Sequence, residues 1–276
     1  MRDGGIMEKF ERILVTSCKG GVGKSTVSSN LAYALAKRGK KVLLIDMDLG
    51  NRSLDIMLGV EDSTLFDISD VAAGRCGAER ALLTAEGRGG IYFCPAPYIY
   101  DGELDEFTLN DAIERLEEYC RPDFTILDTS GGADCSVFLS AAVAKRAIIV
   151  TTPAPTAVRA AEKSGDLLVG HGVEELMLII NGMETDPKTA SKHYGVNEMI
   201  DRTSVRIIGI VPKDSGLALL TERGLMCGES KKIKSIAGKA FENIAGRLDG
   251  EQIPLLYGVR GIKNRKKLLL SGLMSR

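Results

Sequence analysis

The sequence Cys-Lys-Gly-Gly-Val-Gly-Lys-Ser-Thr, residues 18–26, lies between an apolar run at 13–15 and a helical pattern that extends from residue 24 to residue 38. A strand, a glycine-rich turn and a helix in this order form a phosphate-binding loop. Glycine has no Cβ, so the backbone of the turn can fold tightly and direct several N–H groups at one anion. The residues expected to surround the phosphate in this way are Gly20, Gly21, Val22 and Gly23.

The residues after the turn carry the charge and the metal ligand. We expect Lys24 to neutralise β and γ phosphate oxygens, and the Ser25 hydroxyl to ligate Mg²⁺. Thr26 is expected to support the first helical turn within the same site. The general motif begins with Gly, where this sequence has Cys18.

The loop also contains a second lysine, Lys19. Lys-Gly-Gly-Val-Gly-Lys-Ser-Thr resembles the deviant Walker A loop of the MinD/ParA family, in which this lysine is the signature. The resemblance implies that Lys19 reaches across a nucleotide-sandwiched homodimer to the phosphates of the other subunit. It also implies ATP and Mg²⁺ as cofactors and ATP hydrolysis as the activity.

Composition limits the class of protein. With 276 residues, 44% of them hydrophobic, the chain can bury a large core. A formal net charge of −1 gives no overall attraction to nucleic acid, which is therefore not an expected partner. The six cysteines form no Cys-x-x-Cys pair, which argues against a zinc site or a disulfide framework. No segment resembles a signal peptide or a bilayer span, so we expect a cytoplasmic protein.

Short, nearly continuous apolar runs alternate with helical patterns along the chain. The runs after the first one lie at 41–45, 91–94, 124–127, 147–150, 176–180 and 207–211. Continuous apolar runs are typical of strands covered on both faces, and their alternation with helices predicts parallel strands. We therefore predict an α/β fold with a single doubly wound, mostly parallel sheet and helices on both faces. The predicted organisation is a flexible segment at 1–12, an ATPase domain at 13–250 and a basic tail at 251–276.

Acidic residues follow two predicted strands, at the edge where such sheets bind ligands. Asp128 ends an apolar run as a Walker B acid does, and we expect it to hold Mg²⁺ opposite Ser25. The family has Asp-x-Asp after the second strand. The resemblance thus makes Asp48 the residue that positions the attacking water and places Asp46 near the metal. The family usually has Asp-x-Pro-x-Gly after the Walker B strand, but Ser130 replaces the proline here.

The nucleotide base has weaker signals. In relatives, the residue that matches Asn181 hydrogen-bonds the adenine edge, and the segment that matches Pro212 and Asp214 packs on the ring. These three residues are therefore expected to bind the base. ATP is favoured over GTP because no Asn-Lys-x-Asp guanine motif follows the predicted strand before Asn181.

The C-terminal residues are basic and rich in leucine. After Glu251 the sequence contains no acidic residue and six basic ones, Arg260, Lys263, Arg265, Lys266, Lys267 and Arg276. A cationic, leucine-bearing segment can lie in the headgroup region of an anionic membrane. The alternatives are a last helix docked on the core and contact with nucleic acid.

Together these features predict an ATPase switch of the MinD type. ATP would close a homodimer, two weak tails would bind the inner face of the cell membrane together, and hydrolysis would release them. An activating or effector protein is expected. The task implied by the resemblance is spatial: placing the division site or, alternatively, setting flagellar number. Other candidate functions are DNA partitioning of the ParA kind, iron–sulfur or metal loading, and a small-molecule kinase.

Overall fold

The computed structural model describes residues 10–84, 87–100, 102–184 and 193–259. Strands and helices alternate along this part of the chain. The strands are β1 Glu11–Thr16, β2 Val42–Met47, β3 Leu83–Thr84, β4 Ile91–Cys94, β5 Phe124–Thr129, β6 Arg146–Thr151, β7 Glu175–Met183 and β8 Arg206–Pro212. The helices are α1 Lys24–Lys37, α2 Leu54–Leu58, α3 Ile68–Ala72, α4 Ala78–Ala81, α5 Glu106–Cys120, α6 Cys135–Val143, α7 Pro155–Gly170, α8 Val196–Thr203, α9 Ser215–Glu222 and α10 Gly238–Leu248. A 3₁₀ turn lies at Glu61–Ser63.

The strands form one sheet, as predicted. Within the described residues it has eight strands in the order β3-β4-β2-β5-β1-β6-β7-β8. Every pair is parallel except β3 with β4, so the sequence-based expectation of a mostly parallel sheet is confirmed. The antiparallel edge strand β3 is only two residues long, which leaves too little periodic pattern for a sequence to reveal.

The centre of the sheet is covered on both faces. Every residue of β2 and of β5 is buried, and successive side chains of a strand point to opposite faces. Helix α1 packs on β2, on β5 and on α10, while α7 packs on β6 and α8. Strand β1 lies in this doubly covered centre, and the glycine-rich loop follows the end of β1.

The N-terminal boundary lies two residues earlier than predicted. Strand β1 begins at Glu11, so Glu11 and Arg12 are part of the sheet and not of a flexible segment. The guanidinium of Arg12 donates to the carboxylate of Glu117 at 2.9 Å from Nε and 2.7 Å from Nη2. Residues 1–9 of the predicted flexible segment lie outside the described residues.

The C-terminal boundary also differs from the prediction. Residues 251–259, assigned to the tail from sequence, pack on the core, with Leu256 and Val259 each only 1% exposed. Arg247 of α10 donates to the Ile253 and Pro254 carbonyls at 2.8 and 2.7 Å. The rest of the predicted tail, 260–276, lies outside the described residues. A separate finding concerns all the described helices: none of them is both long and apolar enough to cross a bilayer.

The Arg12–Glu117 pair generates a stability prediction. Glu117 is 1% exposed and also accepts a hydrogen bond from Thr125 Oγ1 at 2.7 Å. Glu117→Ala should lower the free energy of unfolding by about 3 kcal/mol, because it leaves a largely buried guanidinium without its partner. Urea denaturation measures this. The control is Glu118→Ala on the exposed face of the same helix, with an expected change within about 0.5 kcal/mol. Equal effects of the two substitutions would contradict the prediction.

Candidate nucleotide-binding site

The glycine-rich loop connects β1 to α1 and has the backbone geometry expected of a phosphate loop. Gly21 and Gly23 have φ values of 74° and 89°, in the left-handed region that residues with a Cβ rarely adopt. A Cβ on Gly23 would also overlap the side-chain amide of Asn181. The first hydrogen bond of α1 joins Val27 N to Gly23 O at 2.9 Å. The loop therefore ends where the unpaired N–H groups of α1 begin, which favours anion binding there.

Lys24 is only 7% exposed and lies among carboxylates. Burial lowers the pKa of Lys24, while the nearby Asp128, Asp48 and Asp134 oppose that shift. Ser25 follows it in the first turn of α1, and Thr26 accepts a hydrogen bond at its carbonyl from Asn30 Nδ2 at 2.9 Å. The structure thus brings the predicted lysine close to two of the predicted acids, Asp48 after β2 and Asp128 near the end of β5.

Asp46 and Asp128 are neighbours in the sheet. They are paired in the register of β2 with β5, and both are 0% exposed. Burial, and then the proximity of Asp128, raises the pKa of Asp46 to about 7. The Asp46 carboxylate accepts the backbone N–H of Asp48 at 2.9 Å and those of Ser53 and Leu54 at 3.2 Å. Asp46 therefore holds the loop after β2 in place.

Asp128 has one oxygen satisfied and one free. Burial raises its pKa to about 6, although Ser28, Ser25 and Lys24 favour its ionised form. Oδ1 accepts the Ser28 hydroxyl at 2.6 Å. Oδ2 is buried and receives no donor with hydrogen-bond geometry from the described residues. A buried, unpaired carboxylate oxygen beside a serine hydroxyl suits a hard cation such as Mg²⁺.

Asp48 is the most exposed of the three predicted acids. It is half-buried, and burial raises its pKa while the Lys24 ammonium opposes the rise. The loop that carries it is fixed by the bonds to Asp46 and by a hydrogen bond from Gly50 N to Pro97 O at 3.0 Å. Asp48 therefore lies close enough to Lys24 for their charges to interact, and its action on a water at the phosphates stays a prediction.

The loop after β5 has a polar clamp where relatives have proline. The Ser130 hydroxyl hydrogen-bonds the Asp134 carboxylate, which also accepts the Ser136 hydroxyl at 2.7 Å. Burial alone would raise the pKa of Asp134, but these hydroxyl donors hold that pKa below its ordinary value. A Cβ on Gly131 would lie 2.7 Å from Gly20 Cα and 3.2 Å from Lys24 Nζ. The clamped loop therefore lies directly against the phosphate loop.

Lys19, the second lysine of the motif, contacts the first turn of α7. Its Nζ donates to Thr156 Oγ1 at 2.6 Å. The adjacent Cys18 N–H donates to Ser164 Oγ at 2.9 Å, so the start of the phosphate loop is bound to α7 at two points. Within the chain, Lys19 thus points to the α7 side of the loop.

The predicted base-binding residues have defined contacts within the chain. Asn181 Nδ2 donates to Val22 O at 2.8 Å, and Pro212 is buried at the end of β8. Asp214 caps α9 by accepting Gly216 N at 2.8 Å, and its other oxygen accepts Ser235 Oγ at 2.6 Å. Both oxygens of Asp214 therefore stabilise the backbone, and its contact with a base stays a prediction.

Several residues of the site were missed by the sequence analysis. These are Ser28, Asp134, Ser136 and Thr156. Ser28 had a signal, because it lies one helical turn after Lys24 on the face of α1 that meets the sheet. The others are ordinary helix-capping or first-turn residues, whose type alone indicates no ligand.

The cysteines do not form a cluster in the described part of the chain. No group of three or more His, Cys, Asp or Glu residues there is arranged to hold a metal ion. Cys94 is fully buried, which raises the pKa of its thiol, whereas Cys135 is exposed at the start of α6.

Comparisons with known proteins agree with the site. A ParA family described as "NUBPL iron-transfer P-loop NTPase" matches residues 9–249. The chain is 36% identical over 245 residues to the septum site-determining protein MinD of Synechocystis sp., covering 88% of this chain and 91% of that protein. The chain belongs to the MinD/ParA family of P-loop ATPases.

Solved structures of this family have the same fold. The MinC:MinD cell division protein complex of Aquifex aeolicus matches with a TM-score of 0.81 and 33% identity, covering 89% of this chain and 98% of that one. MinD from Pyrococcus horikoshii, complexed with Mg-ADP, matches with a TM-score of 0.74 and 26% identity, covering 87% of this chain and 96% of that one. Within the MinD/ParA family the chain is therefore MinD-like, and its P-loop site is of a kind that holds nucleotide with Mg²⁺ in a relative.

The contact of the clamped loop with the phosphate loop generates a prediction. Gly131→Ala should weaken Mg-ADP binding or ATP hydrolysis about 10- to 100-fold, because the added Cβ displaces backbone at the phosphate site. The control is Gly132→Ala, whose Cβ would have its closest neighbour, Asp134 Oδ2, at 3.8 Å. Titration with a fluorescent ADP analogue and a phosphate-release assay measure both. Parent-like behaviour of Gly131→Ala would contradict the prediction.

Proposed function

We propose that the protein is a MinD-like switch that hydrolyses ATP, dimerises when it holds ATP and binds the inner face of the cell membrane from the cytoplasm. The observation that carries the proposal is the group of Lys24, Ser25, Asp46, Asp48 and Asp128 at the ends of β2 and β5. Glycine-rich backbone, a buried lysine and a carboxylate with a free oxygen meet there.

The residues of the site fit Mg-ATP. The N–H groups of residues 20–25 and the Lys24 ammonium would hold the phosphates, and Ser25 with Asp128 would hold Mg²⁺. Bound Mg²⁺ neutralises the charge that develops on the β and γ phosphate oxygens. Asp46 supports this arrangement by fixing the loop that carries Asp48, because its carboxylate is already bonded to that backbone.

Asp48 would act on the attacking water. Its carboxylate is held near Lys24, and the electrostatic attraction between the two keeps it on the phosphate side. An oriented carboxylate there accepts a hydrogen bond from water and sets its direction of attack. Asp48 would thus position the water, and Lys24 would stabilise the negative charge of the phosphates.

Lys19 would act in the dimer. Lys19 is partly exposed, and among the described residues its ammonium has one hydrogen-bond partner, the neutral hydroxyl of Thr156. In the dimer, Lys19 would exchange this hydrogen bond to a neutral hydroxyl for a stronger, charge-assisted hydrogen bond to a phosphate bound by the second subunit. ATP would therefore favour the closed homodimer.

The task proposed for the switch is the positioning of cell division. Its support is the similarity to MinD proteins over most of the chain and to MinD in the MinC:MinD complex. An effector or activating protein would bind this chain's dimer. No contact among the described residues specifically favours a flagellar or DNA-partitioning role.

Asp48 provides the test of the hydrolytic cycle. Asp48→Ala should bind ATP and stay dimeric, because the water loses its acceptor while the phosphate contacts stay. Hydrolysis should fall by about 100-fold or more. Light scattering in ATP and in ADP, with phosphate release, measures this. The exposed Asp62→Ala serves as the control. A variant that hydrolyses ATP at the parent rate, or stays monomeric in ATP, would refute the role.

Membrane recruitment requires a second test. A chain that ends at Val259 keeps the core-packed segment 251–259 and lacks residues 260–276, with their six basic and six large apolar side chains. It should hydrolyse ATP but lose ATP-dependent sedimentation with anionic vesicles, because two weak anchors acting together are removed. Unchanged sedimentation would exclude residues 260–276 as the anchor.

A further inference from the structure

Three lysines lie on the connection between α9 and α10, at residues 230–237, which we call the basic loop. Lys231, Lys232 and Lys234 are exposed, and none of them forms an ion pair with a described carboxylate. Ile236, between them and α10, is 38% exposed. The loop thus presents three unpaired cations and an apolar side chain on one short stretch.

Acidic side chains near the basic loop already have partners. Glu229 accepts Arg88 Nε at 2.6 Å. Glu242 lies between Lys37 and Lys239, at 3.6 and 3.0 Å. The Asp214 carboxylate accepts hydrogen bonds within the chain, including Ala237 N at 3.0 Å. The Asp214 charge is held by neutral donors, two of them in the loop itself, so one negative charge lies beside three lysines and the basic loop keeps a net positive charge.

The C-terminal segment returns to this loop. Arg247, Asn243 and Lys239 lie four residues apart on one stripe of α10. Arg247 donates to the Ile253 and Pro254 carbonyls, and Asn243 donates to the Tyr257 carbonyl. Lys239 lies against Gly258, where an added Cβ would be 3.3 Å from Lys239 Cγ. The segment therefore runs back along α10 to its first turn. Val259 ends the described chain there, next to the end of the basic loop.

The residues that follow have the same chemistry as the loop. Residues 260–276 contain six basic side chains, no acidic ones, and Ile262, Leu268, Leu269, Leu270, Leu273 and Met274. Lysines interleaved with apolar side chains suit an anionic bilayer, where amines meet lipid phosphates and apolar groups reach the acyl boundary. An exposed isoleucine has no comparable partner on a nucleic acid backbone, so the membrane is the better match.

We propose that the basic loop is a second membrane-contact element, which meets an anionic lipid surface together with residues 260–276. The proposal rests on the membrane recruitment proposed above and adds a folded part of the domain to it. A folded contact beside the start of the tail fixes how the domain faces the lipid, which a tail alone does not. If all three lysines touch the lipid surface, their loss weakens vesicle binding by about 100-fold. If they touch it only in part, their loss weakens binding by about tenfold.

The test uses the full chain with ATP and vesicles of phosphatidylglycerol and phosphatidylcholine. The variant Lys231→Gln, Lys232→Gln, Lys234→Gln should bind vesicles about 10- to 100-fold more weakly and with a smaller dependence on salt. Its ATP-dependent dimer and its hydrolysis without vesicles should match the parent. The control, with the same loss of charge on other exposed lysines, is Lys41→Gln, Lys145→Gln, Lys163→Gln, which should bind as the parent does.

The outcomes separate this inference from the proposed function. Parent-like vesicle binding of the loop variant, or an equal loss in the control variant, overturns the inference and leaves membrane recruitment intact. A parent protein that does not bind vesicles in ATP refutes the recruitment itself. If the loop variant loses retention of duplex DNA while its vesicle binding is unchanged, the loop contacts nucleic acid and the inference is overturned.

Discussion

The register between β2 and β5 places Asp46 directly beside Asp128, with both carboxyl groups removed from water. Each negative charge is costly there, so the pKa of Asp46 rises to about 7 and that of Asp128 to about 6. At pH values between the ordinary aspartate pKa of 3.8 and these raised values, the folded chain retains protons that the unfolded chain has released. The contribution of the pair to stability therefore falls as the pH rises through that window. A site built in this way favours any cation that enters it, and the Lys24 ammonium already lies near Asp128.

The two acids have different roles because their neighbours differ. The oxygens of Asp46 are bonded to backbone N–H groups of the loop after β2, so this acid shapes the loop. Asp128 has one oxygen on Ser28 and one without a donor among the described residues. The carboxylate with a free, buried oxygen is the one suited to a metal. Residue type alone does not separate these roles, because both residues are aspartates that end buried strands.

The features predicted correctly from the sequence are those with local signals. Buried strands and the glycine turn are continuous patterns, so the sheet and the phosphate loop could be read directly. Contacts between distant segments have no such signal: Lys19 meets Thr156, 137 residues away. Ser130 stands where the family usually has proline, and its hydrogen bond with Asp134 could not be predicted from residue type. The boundary predicted at residue 251 was placed at a change in charge. The folded domain extends to Val259, because Leu256 and Val259 are apolar and pack on the core.

Helix α1 joins the nucleotide site to the base of the C-terminal segment. It begins with Lys24 in the phosphate loop and is followed by Arg38, whose guanidinium binds Asp249 at 3.1 Å and also pairs with Glu251. Glu251 starts the segment that runs back along α10 to the basic loop. A helix of 14 residues is stiff over its length, about 21 Å at 1.5 Å per residue. The phosphate loop and the start of the C-terminal segment are thus attached to opposite ends of one helix.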